Sequence, residues 1–105
     1  MKKYILTYIG GNKPATQEEG AAHMAKYRVW LSGLGDSVVS PANPFGHTHT
    51  VAPDGSVSKG SMTSMSGYSI IQAAAIEDAI SVAQSCPFLE MDGSMEVAEL
   101  MQMPG

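Results

Sequence analysis

Between Lys3 and Ile9 the side chains alternate, with Tyr4, Leu6 and Tyr8 on one face and Ile5 and Ile9 on the other. Alternation of this kind is the signature of a β-strand, and apolar side chains on both faces predict a strand in the middle of a sheet. Gly10 to Pro14 breaks the pattern, and Thr16-Gln17-Glu18-Glu19 then has the form of a capping box, in which a hydroxyl and a carboxylate satisfy the free amides at a helix start. Met24, Tyr27, Trp30, Leu31 and Leu34 recur at three- and four-residue spacing, the stripe of a helix lying on a sheet. That helix is expected to stop at Gly33 or Gly35, where glycine takes up the left-handed conformation at low cost.

Further along, Ser37 to Ser40 predicts a short second strand and Pro41 and Pro44 a stiff loop. Pro53-Asp54-Gly55 is a turn signal between His47–Val51 and Ser56–Lys59, which read as an exposed hairpin. After a Ser- and Met-rich link, Gly67 to Ala74 predicts a clear strand. It leads into a second helix with Ile76, Ala79, Ile80 and Ala83 on one face. Pro87 ends that helix, Asp92-Gly93 turns the chain, and Met95 to Met101 supplies a final strand. Strand, helix, strand, hairpin, strand, helix, strand is a split βαβ pattern. It predicts an α+β, ferredoxin-like βαββαβ domain with an added hairpin and both helices on one face of an antiparallel sheet. The uncovered face is most economically covered by the same face of a second copy, so a homodimer is expected.

At 105 residues there is room for one domain, spanning 1–105. Six basic against ten acidic residues, with the basic ones scattered, argue against a nucleic-acid partner and against an anionic membrane. Gly67-Tyr68-Ser69-Ile70 lacks the basic flanks of an RNA-binding strand, so Tyr68 reads on that count as an ordinary strand aromatic. The apolar run after Lys2-Lys3 is short and lacks a cleavage signal, and no stretch reaches membrane-spanning length. With one cysteine, Cys86, no internal disulfide forms, which fits a cytoplasmic protein.

Several patterns occur in a telling order: Tyr4-Ile5-Leu6, Trp30 with Leu34-Gly35, Asn43-Pro44-Phe45-Gly46, Gly67-Tyr68-Ser69-Ile70-Ile71-Gln72-Ala73, Cys86-Pro87 and Met95-Glu96-Val97-Ala98-Glu99. In these the chain resembles the YCII-related family, including its branch named for an Asp-Gly-Pro-Phe motif. The resemblance implies a dimeric α+β barrel, two sheets packed face to face, with a cleft near the helix and sheet of each subunit. It also implies a His and Asp acid/base pair of the kind associated with elimination chemistry. His23 is the nearest counterpart of the family histidine, one residue out of register, and Met24 takes its place if Gly35 sets the register. Cys86 stands where the family has aspartate, and Asp54-Gly55 continues as Ser56-Val57 rather than Pro-Phe.

His23 stacks above Tyr27, Trp30 and Leu34 on the first helix, at the border of the apolar face. It reads either as a general acid/base or as a histidine hydrogen-bonded at the core edge. Asn43 and Phe45, stiffened by Pro44, present an amide and a ring at a cleft rim or else form a plain turn, and Trp30 and Tyr68 line a pocket for a planar ligand or else belong to the core. His47 and His49 share one side if both lie in a strand, an alternative metal-binding pair that is incomplete without further ligands. Cys86, at a helix C-terminus, is expected to keep its proton and be structural. No nucleotide-binding glycine loop or serine-hydrolase elbow is present, and no cofactor is called for. The leading expectation is a small-molecule cleft protein, which as an enzyme would be a cofactor-independent lyase or isomerase using His23. The rival is a non-catalytic dimeric module that binds a ligand or partner.

Overall fold

The computed structural model describes residues 1–103, and the last two residues of the expected domain lie outside the described residues. The chain runs through β1 (Lys2–Gly10), α1 (Gln17–Leu34), β2 (Val38–Pro44), β3 (His49–Val51), β4 (Val57–Lys59), β5 (Met65–Ala73), α2 (Ile76–Gln84) and β6 (Gly93–Glu99). Short 3₁₀ turns at Gly35–Ser37 and Pro87–Met91 follow the two helices. β2, β5, β1 and β6, in that spatial order, make one antiparallel sheet, and β3 and β4 pair only with each other. With the hairpin set aside, each βαβ unit is split by a strand of the other, which is the ferredoxin-like βαββαβ arrangement. The α+β fold expected from the residue pattern is therefore the observed one. The sheet of the single chain is open, not closed into a barrel.

β1 is central because both of its faces are apolar: it pairs with β5 on one side and with β6 on the other. Tyr4 and Leu6 point under the helices and are sealed, 1% and 0% exposed, against Ile71 of β5 and Ala79 and Ala83 of α2. Each large side chain buried this way contributes about 1.5–3 kcal/mol. Small alanines let α2 sit close to the sheet. α1 is different, because none of its residues is buried and it stands off on half-buried Tyr27, Trp30 and Leu34. Trp30 Nε1 donates to Ser85 Oγ at 2.9 Å, tying α1 to the end of α2.

The start of α1 follows the expected cap with one shift. Thr16 Oγ1 accepts from the Glu19 amide at 3.1 Å, but the Glu19 carboxylate accepts from the amide of Ala15 rather than of Thr16. Gly35, at φ +54°, closes the helix as expected.

Other boundaries moved. The stiff loop expected at Pro41 and Pro44 is instead the second half of β2. As an edge strand β2 tolerates residues without an N–H, and its register with β5 slips between Val38 and Ser40 and again before Asn43. β5 begins at Met65 rather than Gly67, with Ser66 bulged out between the Tyr8–Gly67 and Ile9–Met65 pairs. β6 covers Gly93–Glu99 instead of Met95–Met101. His47 lies in a bend before β3, so the alternation that was to put His47 and His49 on one side does not apply.

Both helices cover the same face, leaving a plate with principal extents of 47 × 43 × 18 Å. The other face carries the cross-strand pairs Ile5–Ile70, Ile5–Ala98 and Thr7–Tyr68. No described helix is long and apolar enough to cross a membrane.

Candidate functional site

Because α1 stands off the sheet, a cavity of about 250 Å³ opens beneath its N-terminal half. His23, Met24 and Tyr27 overhang it from α1, Tyr8 and Phe88 form its inner side, and Ala42 to Pro44 with Ser66 to Tyr68 form the wall at the sheet edge. Gly67 helps keep the space open. A methyl group built on it would lie 2.8 Å from the Asn43 carbonyl oxygen and 3.1 Å from Pro44 Cα, so β2 and β5 approach this closely only because residue 67 has no side chain. Phe88 is fixed in the same manner: a methyl on Gly11 would meet its ring at 3.0 Å, and the ring stands edge-on to Tyr8 with centroids 5.2 Å apart.

At the inner end, three hydroxyls are joined. Tyr8 Oη is 2.7 Å from Tyr27 Oη and 2.6 Å from Ser69 Oγ, and Ser69 hydrogen-bonds to the carbonyl of Pro41. Tyr8 is 7% and Ser69 0% exposed, so these bonds replace those lost to water. Burial pushes the Tyr8 phenol well above the ordinary tyrosine range. The group is a neutral phenol throughout the physiological range.

The five residues singled out in the sequence do not converge as a set. His23 is half-buried on the cavity wall and makes no side-chain hydrogen bond among the described residues. Asn43 and Tyr68 contribute to the opposite wall. The Asn43 amide donates to Ser40 Oγ at 2.9 Å and to the Tyr68 carbonyl at 3.2 Å, bonds that hold the irregular edge strand to β5. The Tyr68 ring alternates with Gly67 and Ser69, so it lies on the uncovered face of the sheet, against Phe45 at a centroid distance of 6.0 Å. Trp30 is outside the cavity altogether. Its ring packs obliquely on Tyr27 and the edge of the core.

Cys86 is 3% exposed. Burial pushes its thiol up to about 11, partly offset by a backbone hydrogen bond from Phe88, so the thiol keeps its proton, as expected from the sequence. No group of three or more His, Cys, Asp or Glu side chains able to hold a metal occurs among the described residues.

Tyr8, Tyr27, Ser69 and Phe88 were not picked out as site residues from the sequence. Ser69 carried a usable signal: it is a hydroxyl at an inward position of an otherwise apolar strand, and a buried hydroxyl requires a partner. No family model matches the chain, and no curated protein matches it.

Proposed function

We propose that this protein is a small-molecule cleft protein of the YCII-related kind, cytoplasmic and acting as a homodimer, with the cavity under α1 as its binding site. The observation that carries the reading is the cavity itself, whose largely apolar lining also includes His23 and Tyr27. Apolar concavities with a few fixed polar groups are the usual form of a ligand site. At about 250 Å³ this one suits a molecule of roughly a single ring. The ferredoxin-like strand order supports the family resemblance, and the apolar residues Ile5, Ile70 and Tyr68 on the uncovered face support its pairing with a second copy. Native mass spectrometry of gently purified protein tests the reading. A dimer retaining an organic molecule of fixed mass is expected, and a bare monomer is the contrary result.

His23 favours a second, catalytic version of this reading. Its ring lies on the cavity wall with no protein partner among the described residues, as a group waiting for a substrate proton would. Elimination or isomerisation would then proceed with His23 alone as acid/base, since Cys86 retains its proton. A His23→Ala variant that folds and binds the retained molecule but no longer converts it would establish catalysis. Conversion unchanged in His23→Ala would remove His23 from the chemistry, and no conversion by wild type would leave a binding module.

A further inference from the structure

The three hydroxyls at the inner end of the cavity form a chain whose direction is fixed by chemistry. A backbone carbonyl only accepts, so in the Ser69–Pro41 bond the serine is the donor and its single proton is committed. Tyr8, 2.6 Å away, must therefore donate to Ser69 Oγ. With the Tyr8 proton spent, the bond to Tyr27 at 2.7 Å is made by the Tyr27 proton. The longer contact of Tyr27 Oη with Ser69 Oγ, 3.3 Å, has the same sense, because Ser69 has no proton left to offer. Every proton in the chain points inward, toward Pro41. Tyr27 lines the cavity, and what it has left for a ligand is oxygen lone pairs. For Tyr27 to donate outward, the sealed Tyr8 oxygen would have to give up its donor, at a cost close to that of a lost buried hydrogen bond.

The rest of the lining fits an uncharged ligand. It contains no lysine, arginine, aspartate or glutamate, and apart from His23, Asn43 and Ser66 its remaining side chains are apolar or aromatic. An anion entering the cavity would shed its water against apolar walls and meet the lone pairs of Tyr27.

We propose that the cavity selects small, neutral hydrogen-bond donors, ring compounds bearing an O–H or N–H that is delivered to Tyr27 Oη, and discriminates against carboxylates and against isosteres that only accept. This rests on the cleft reading above and adds the chemical class of the ligand. The polarity of the chain, and not the cavity's size, sets the selectivity.

Phenol, anisole and benzoate share a ring and differ in the group presented: a donor, an acceptor and an anion. Their binding is measured by NMR titration of ¹³C-methyl-labelled protein, following the Met24 methyl at the cavity wall, with the amide spectrum reporting the fold of each variant. Phenol is expected to bind about three- to tenfold more tightly than anisole, the worth of one net hydrogen bond, and benzoate more weakly than phenol. Tyr27→Phe should abolish the phenol advantage. Ser69→Ala should shrink it, because Tyr8 is then free to donate to Tyr27 and the Tyr27 proton is released toward the ligand; a purely structural serine would not change the phenol-to-anisole ratio. Anisole or benzoate binding as tightly as phenol, or a phenol advantage that survives in Tyr27→Phe, overturns the donor rule while leaving the cleft in place. If none of the three shifts the Met24 methyl, the cleft reading fails and the donor rule falls with it.

Discussion

Tyr8 and Ser69, on neighbouring strands of the sheet, bring their hydroxyl oxygens to 2.6 Å of each other in a sealed interior. The pair joins the fold to the site. It satisfies polar groups on the two central strands and, through Tyr27, fixes α1 over the cavity without closing it.

Removing the phenol oxygen with Tyr8→Phe breaks the middle link of the chain. Ser69 keeps Pro41 and Tyr27 keeps its longer contact to Ser69, so the expected loss is about 1 kcal/mol, measured by urea denaturation at neutral pH. The variant should also respond differently to alkali. The Tyr8 phenol ionises at a higher pH in the folded than in the unfolded protein, whose ordinary value is 10.0. Above about pH 10 the unfolded chain has lost a proton that the native state still holds, so native stability falls as pH rises, and Tyr8→Phe should lack that part of the fall.

Cys86→Ala gives a second test at lower pH. The thiol moves from an ordinary 9.0 to about 11 on folding, so its contribution is intact below pH 9 and is lost as pH rises toward 11. The loss expected over this window is on the order of 2–3 kcal/mol in wild type and is absent in Cys86→Ala. Urea denaturation midpoints at pH 8 and pH 11 provide the check. Equal declines in both proteins would mean that burial does not hold the thiol's proton.

Gly67→Ala tests the close approach of β2 and β5. The added methyl would sit 2.8 Å from the Asn43 carbonyl oxygen, backbone that yields only by moving the edge strand. A loss of about 1–3 kcal/mol is expected in the same urea assay. Gly33→Ala is the control, since a methyl built there meets nothing within 4 Å and the position lies inside α1. It should be neutral or stabilising.

The fold was legible from the residue pattern because its strongest signals are local. Apolar side chains on both faces of Lys3 to Ile9 mark β1 as central, and the Thr16 cap and Gly35 bound α1. β2 was less legible, since two prolines suggest a loop unless the strand is known to lie at an edge, which only the completed sheet reveals. The site was legible in part: His23, whose helical spacing put it at the border of the apolar face, borders the cavity, as do Asn43 and Tyr68 from the sheet edge. Phe45 was assigned to the cleft but lies outside its lining, and its ring meets that of Tyr68 on the uncovered face, an outcome that depends on which face of β5 carries Gly67. The hydroxyl chain joins residues up to 61 positions apart, and no pattern of neighbouring residues encodes such a contact.

The measurement that bears most directly on the cleft is retention of a small molecule by wild type and by two variants that fill the cavity, Met24→Trp and Ala42→Trp. Each protein is incubated with a small-molecule extract of host cells, washed, and analysed by mass spectrometry for bound organic compounds. Wild type is expected to retain a neutral, donor-bearing compound that both folded variants lose, since a tryptophan occupies much of a space of about 250 Å³. Retention undiminished in the variants, or none by wild type, would contradict a binding site beneath α1.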